Sequence, residues 1–276
     1  MKQSWVSFQG ETGEILYMKI TRTVVPSIVT ALNIFCGFLS LLYTSQGHVA
    51  TAAWIIILAA VFDSLDGIMA RMTHSSSQFG VELDSLADVV SFGAAPSFLI
   101  YFVLYSHTIE PWGILLAAMP VVLGAVRLAR FNSQLVGFDK EYFNGLPIPM
   151  QAITVCAFIL QFGETITGTN SLGGVALMAL VVALSLLMVS HVKYDVMPKL
   201  SRLQVTSHPW KFIIIAFAFL VIVISKFVLN LDTLFQMLML YILFGCLRGG
   251  YGWLKKVLLN DEKKSVTPEK LSRIDL

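Results

Sequence analysis

Four aspartates, Asp63, Asp66, Asp84 and Asp88, fall within VFDSLDGIMARMTHSSSQFGVELDSLADVVSFGAAP, residues 61 to 96 of the chain. The first two are three residues apart and the last two are four, so on helices each pair projects from one face. A short connection makes the two helices antiparallel neighbours, and their acidic faces converge into a four-carboxylate cluster. Such a cluster repels itself unless something neutralises it. Two hard divalent cations that prefer oxygen ligands, Mg²⁺ or Mn²⁺, would do so.

The residues around the acids indicate what else must fit. Gly67 and Ala70 stand one and four positions after Asp66 and clear a helix face for a bulky ligand. Arg71 adds a planar cation suited to phosphate oxygens. Metals, an arginine and a cleared face together point to a diphosphate substrate with an apolar tail, and to phosphoryl-type chemistry at a two-metal site.

The elements that hold these residues are apolar. The chain has 276 residues, 56% hydrophobic and 13% charged, whereas an ordinary soluble domain carries roughly 25% charged residues. A soluble globular enzyme is thereby excluded. Nineteen Lys+Arg against seventeen Asp+Glu leave a net charge of +2, too balanced for a nucleic-acid binder with a broad basic surface. Apolar runs near the ~20 residues that cross a bilayer recur at approximately 28–46, 50–72, 84–106, 112–131, 147–163, 173–191, 211–229 and 233–248. Long continuous runs specify helices rather than the alternating strands of a barrel. The expected fold is an all-α integral membrane protein of about eight transmembrane helices. A carboxylate at the centre of such a helix costs roughly 2.5 to 3.5 kcal/mol, so no packing demand accounts for four of them.

All but Lys226 of the nineteen basic residues lie in the N-terminal segment, at inner helix ends, in the loops around 72–83, 131–146 and 192–210, or in the C-terminal tail. By the positive-inside rule both termini and the acidic cluster face the cytoplasm, in a multi-pass protein of the inner (cytoplasmic) membrane. Lys226, near an outer helix end, snorkels. The first 25 residues lack the basic, apolar and small-residue regions of a cleaved signal, so the first apolar run is expected to be an anchor. Cys36, Cys156 and Cys246 lie far apart in apolar stretches and read as small buried hydrophobes, not as a metal or disulfide framework.

The pattern Asp63-x2-Asp66-Gly67-x2-Ala70-Arg71-x8-Gly80-x3-Asp84-x3-Asp88 resembles, at every defined position, the signature of the CDP-alcohol phosphotransferases. The resemblance implies a six-helix catalytic core supplied by the first six spans, with two additional C-terminal helices, and a homodimer. The chain then divides into a juxtamembrane segment 1–25, a core 26–191, a cytoplasmic loop with two further helices 192–253, and a polar tail 254–276. It also implies that Asp63, Asp66 and Asp84 are metal ligands and that Asp88 is both ligand and catalytic base. Asp63, Gly67, Ala70, Arg71 and Gly80 would line the CDP and diphosphate site. Pro26-Ser27-x2-Thr30-x2-Asn33 is similar to a further family feature, which makes Thr30 and Asn33 nucleotide or phosphate contacts. Ser27 also reads as a helix N-cap.

Three segments resemble the bacterial phosphatidylserine synthase branch: Leu83-Asp84-Ser85-Leu86-Ala87-Asp88 running into Ser91-Phe92-Gly93-x2-Pro96, then Arg127-Leu128-Ala129-Arg130-Phe131-Asn132, then Gly145-Leu146-Pro147-Ile148-Pro149. The substrates implied are CDP-diacylglycerol from the lipid bilayer and L-serine, giving phosphatidylserine and CMP. Arg127 and Arg130, three residues apart, form an acceptor pocket in which an arginine fork takes the serine carboxylate. Asn132 reads as a helix C-cap, and the two prolines of GLPIP keep a regular helix from forming there. Glycerol 3-phosphate and inositol phosphate are rival acceptors, and their phosphates call for more cations than these two. A cation transporter, the alternative from another class, would string carboxylates along a path through the membrane, whereas here they cluster on one side.

Overall fold

The first two apolar runs fold into a helical hairpin because Gly47 can end the first helix. Helix α1 (Val24–Ser45) and helix α2 (Val49–Thr73) are joined at Gly47, whose φ of 80° suits a residue without a Cβ. The His48 amide donates to Tyr43 O at 2.9 Å and the Gly47 amide to Thr44 O at 3.0 Å, the paired bonds of a Schellman cap. The computed structural model describes residues 5–9, 15–19, 24–73, 78–105, 111–134, 142–190, 193–195 and 233–266, with side chains over 27–69, 79–105, 112–133, 145–190 and 233–250.

The hairpin is built with its large apolar residues outward. On α1 the buried stripe is Thr30, Asn33, Cys36, Ser40 and Thr44, and on α2 it is Ala52, Ala53, Ile56, Ala59 and Ala60. Both stripes follow the three-and-four spacing of one helical face. Small residues let the backbones approach closely, and the Ser40 hydroxyl donates across the seam to Ala52 O at 3.1 Å. Ile28, Leu32, Phe35, Phe38 and Leu42 of α1 and Trp54, Leu58, Val61 and Leu65 of α2 are exposed. A water-soluble bundle would invert this distribution, whereas helices packed in lipid adopt it.

Helix α3 (Gln78–Asp88) passes without a break through a π-helical segment (Val89–Ala94) into helix α4 (Ala95–Tyr105). Helix α5 (Pro111–Gln134) contains Pro120. The Val121 amide, next to the proline, donates to Ser97 Oγ at 3.2 Å. Helix α6 (Ile148–Phe162) is buried on nearly every face and packs chiefly on α2 and the π segment. A 3₁₀ turn (Gly163–Thr165) and helix α7 (Leu172–Val189) follow. Five stretches, Ser27–Ser45, Val49–Met69, Phe79–Tyr105, Trp112–Ser133 and Leu172–Val189, are long and apolar enough to cross a membrane. The protein is a multi-pass membrane protein.

The chain forms two compact units, Met1–Gln134 with Ile148–Leu186, and Leu135–Pro147 with Leu187–Leu276. The first holds the helices just described, together with a ribbon of strands β1 (Trp5–Gln9) and β2 (Ile15–Lys19) paired from Trp5↔Lys19 to Gln9↔Ile15. The second holds strands β3 (Tyr142–Asn144) and β4 (Lys193–Asp195), paired from Tyr142↔Asp195 to Asn144↔Lys193, and helix α8 (Leu234–Val266). Gly145, with φ of 85°, ends β3 where a Cβ would run into the Met188 carbonyl.

Several expectations shift in detail. Both ribbons lie outside the apolar runs, so the spanning body is helical as read while the whole chain also has strands. The expected run at 147–163 becomes a helix of 15 residues, short of a full span. Its first turn takes in Pro149, where a missing amide costs little, so the GLPIP prolines mark a helix start instead of forbidding one. Ser27 lies inside α1, which begins at Val24, and is not its N-cap. The run at 211–229 and Lys226 lie outside the described residues. Cys36 and Cys156 are buried and Cys246 is partly so, and none of the three is in a disulfide.

Helix α1 comes close to the π segment at Gly37, where an added Cβ would stand 2.5 Å from Ser91 Oγ and 2.8 Å from Ser91 Cα. Gly37→Ala is expected to destabilise the protein by about 1–3 kcal/mol, seen as a lower midpoint in thermal denaturation of the detergent-purified protein. Gly163→Ala, with nothing within 4 Å of its added Cβ, leaves the midpoint almost unchanged.

Candidate active site

The two acidic helices each pack chiefly on α1, and that shared neighbour brings their carboxylates together. Asp63 and Asp66 come from α2 and Asp84 from α3, with one oxygen of each inside a 4.8 Å group. The Thr30 hydroxyl of α1 donates to Asp66 Oδ2 at 2.9 Å, and both residues are only 5% exposed. Asp88, one turn beyond Asp84, is not part of the trio but lies beside Asp63 and in electrostatic range of Arg127. Asp84 Oδ1 and Asp88 Oδ1 are buried without a hydrogen-bond partner among the described residues.

An all-oxygen, all-anionic donor set with unpaired buried oxygens suits a hard divalent cation. Ligands on opposite sides of one Mg²⁺ stand about 4.2 Å apart at a bond length of ~2.1 Å. Adjacent ligands stand closer still, about 3.0 Å apart, so the trio would draw inward to share an ion. Without one, three carboxylates at this spacing repel.

The other expected residues divide. Asn33 is fully buried, with neither amide atom partnered among the described residues, one turn along α1 from Thr30. A buried polar atom left unpaired costs about 1–3 kcal/mol, so such an amide is suited to a polar ligand. Gly67 and Gly80 are partly exposed, and the side chains of Ala70 and Arg71 lie outside the described residues. Arg127 is partly buried in electrostatic range of Asp88, with its Nε unpartnered among the described residues, whereas Arg130 is exposed. The expected two-arginine fork is therefore uneven.

Asn132 differs from its sequence reading. Helix α5 continues to Gln134, so Asn132 does not cap it. Its Nδ2 instead donates to Ser85 Oγ at 2.9 Å, which ties α5 to the residue after Asp84. Ser91 also escaped sequence reading as a site residue: fully buried in the π segment, it donates to Asn33 O at 2.8 Å. Gln151 of α6 is fully buried with both amide atoms unpartnered among the described residues. A glutamine inside a largely apolar run was the signal for it.

A multi-pass helical membrane protein with this carboxylate cluster defines a class. Residues 23–189 match the CDP-alcohol phosphatidyltransferase family, and the chain belongs to it. Among relatives, a CDP-diacylglycerol–serine O-phosphatidyltransferase of Helicobacter pylori strain J99 is 35% identical over 247 residues, covering 87% of this chain and 96% of that protein. An archaetidylserine synthase of Methanothermobacter thermautotrophicus is 39% identical over 179 residues, covering 64% of this chain and 72% of the relative. A CDP-diacylglycerol–serine O-phosphatidyltransferase of Methanocaldococcus jannaschii is 37% identical over 174 residues, covering 63% and 75%.

Relief of like-charge repulsion gives a direct check on the cluster. In chelator, Asp63→Asn is expected to melt a few degrees above the unsubstituted protein, because one of three crowded anions is gone. An Asp63→Asn midpoint equal to or below the parent would contradict the geometry.

Proposed function

We propose that the protein transfers the phosphatidyl group of CDP-diacylglycerol to the hydroxyl of L-serine, releasing phosphatidylserine and CMP. The observation that carries this reading is the trio of carboxylate oxygens from α2 and α3, one of whose members, Asp66, accepts from Thr30. The relatives named for serine transfer support the acceptor.

Asp63, Asp66 and Asp84 would hold two divalent cations, Mg²⁺ or Mn²⁺, with Asp88 as a further ligand. When bound, these ions polarise the diphosphate and offset the charge on departing CMP. Thr30 orients the Asp66 carboxylate by donating to its Oδ2, a support that would steady it as a metal ligand. Asn33, Gly67, Ala70, Arg71 and Gly80 line the CDP and diphosphate site. Asp88 is the base: it accepts the serine hydroxyl proton as the hydroxyl oxygen bonds to the phosphorus that carries the lipid. The bond from that phosphorus to its bridging oxygen breaks, CMP leaves with the oxygen, and the proton passes to water. Arg127, with Arg130 nearer the solvent, takes the serine carboxylate.

The core of this activity is 26–191, with 1–25, 192–253 and 254–276 as appendages. The distribution of Lys and Arg supports an inner-membrane protein with both termini and the site on the cytoplasmic side. The family resemblance supports a homodimer.

Purified protein given CDP-diacylglycerol and Mn²⁺ is expected to release CMP with L-serine, and to stop when chelator is added. CMP release with glycerol 3-phosphate or inositol phosphate but not serine would overturn the acceptor. Asp88→Asn is expected to lower CMP release by roughly 10²-fold or more, and full activity would remove its role as base. Thr30→Val should raise the Mn²⁺ concentration at half-maximal rate by roughly 10-fold, with the rate at saturating Mn²⁺ largely kept.

A further inference from the structure

The hydrogen-bond directions around Ser85 decide what Asn132 can offer a ligand. The Ser85 hydroxyl donates to Val81 O at 3.0 Å. A hydroxyl has one proton, so toward Asn132 it can only accept. The Asn132 amide must therefore present its N–H to Ser85, at 2.9 Å, and turn its Oδ1 elsewhere. That oxygen is buried and unpartnered among the described residues. Asn132 is thus a fixed acceptor.

Its place relative to the proposed base gives the acceptor a use. Ser85 follows Asp84 and precedes Asp88 by three residues, so Ser85 and Asp88 share a face of α3. Arg127 is in electrostatic range of Asp88, and Asn132 touches Ser85. Along α5 the two are five residues apart, about 7.5 Å of rise and about 140° of turn, and Asn132 reaches α3 at Ser85 while Arg127 is in range of Asp88. Arg127 offers an unpartnered donor, Nε, and Asn132 an unpartnered acceptor, Oδ1, among the described residues, with Asp88 in electrostatic range of the arginine. An α-amino acid spanning the two would place its carboxylate on the arginine and its ammonium on the amide oxygen. Its hydroxyl would lie toward the carboxylate.

We infer that Asn132 reads the α-ammonium of the acceptor and that Ser85 is a positioning residue that holds the amide for it. The inference rests on the serine-transferase reading and gives it a specificity element. The phosphate oxygens of glycerol 3-phosphate or inositol phosphate have no donor to give Asn132 and are repelled by its carbonyl oxygen. The pocket therefore selects a zwitterionic alcohol over an anionic one.

The test uses the full-length protein in detergent with CDP-diacylglycerol and Mn²⁺. It measures KM and kcat for L-serine and competitive inhibition by 3-hydroxypropionate, which lacks the ammonium, and by ethanolamine, which lacks the carboxylate. Asn132→Leu is expected to raise the serine KM by roughly 10- to 100-fold, the value of a hydrogen bond to a charged group. It should weaken ethanolamine similarly and leave any 3-hydroxypropionate inhibition within about twofold. Ser85→Ala should raise the serine KM by several-fold with little change in kcat, and Ser85→Thr, which keeps the hydroxyl, should restore it. An unchanged serine KM in Asn132→Leu, equal weakening of both inhibitors, or 3-hydroxypropionate binding to the parent as tightly as serine overturns the inference. Absence of CMP release with serine in the parent protein instead sinks the underlying reading. The Ser85 pair supplies the readout if Asn132→Leu does not fold.

Discussion

Mutual repulsion among carboxylates in a low-dielectric bundle is the constraint on which the rest of this structure depends. Three oxygens within 4.8 Å would drive their helices apart in any loosely packed protein. Here α1 packs against both acidic helices, with a polar and small-residue face turned toward them. The hydroxyls of Thr30 and Ser40 hold that face to α2, and Ser91 reaches it from the π segment. Close backbone approach at Gly37 and the alanine stripe of α2 make those short bonds reachable. Packing that would look weak in water, with few large side chains inside, is what permits the acids to face one another.

The lipid-like exterior and the polar interior are two sides of one distribution. Because the bilayer already solvates Phe35, Phe38, Trp54 and Leu58, burying them inside would gain little. Helix association then rests on small residues and hydrogen bonds. The interior can therefore carry Asn33, Gln151 and four aspartates, a polar load that an aqueous core of this size would not tolerate. Function and membrane residence are linked through that distribution.

Legibility in the sequence followed the range of the interactions. The acid pairs could be read because three- and four-residue spacing is a local property of a helix. The apolar runs could be read because span length is set by bilayer thickness, and helices stand at every expected run with described residues. Thr30 was legible as a site residue, but its partner Asp66 lies 36 residues away and no local rule names it. Asn132 looked like a cap because asparagine near a helix end usually is one. Only the hydrogen bond across to α3 distinguishes it. Ser91 carries no sequence sign of its own, since a π segment has no signature apart from the packing that stabilises it. The β1–β2 and β3–β4 ribbons sit in mixed polar stretches where apolar runs carry no signal.

The π segment after Asp88 also bears on how this chain can change over evolutionary time. A π turn holds about one residue more than an α turn of the same pitch, and each residue of an α-helix is worth 100° of rotation. Val89–Ala94 therefore sets the angular phase between Asp84 and Asp88 on one side and the buried Leu99 and Ile100 on the other. Residue count there is a more rigid inheritance than residue identity. Many side-chain exchanges would leave the phase intact, whereas a one-residue deletion would restore an ordinary helix and turn the acids out of register with everything below them.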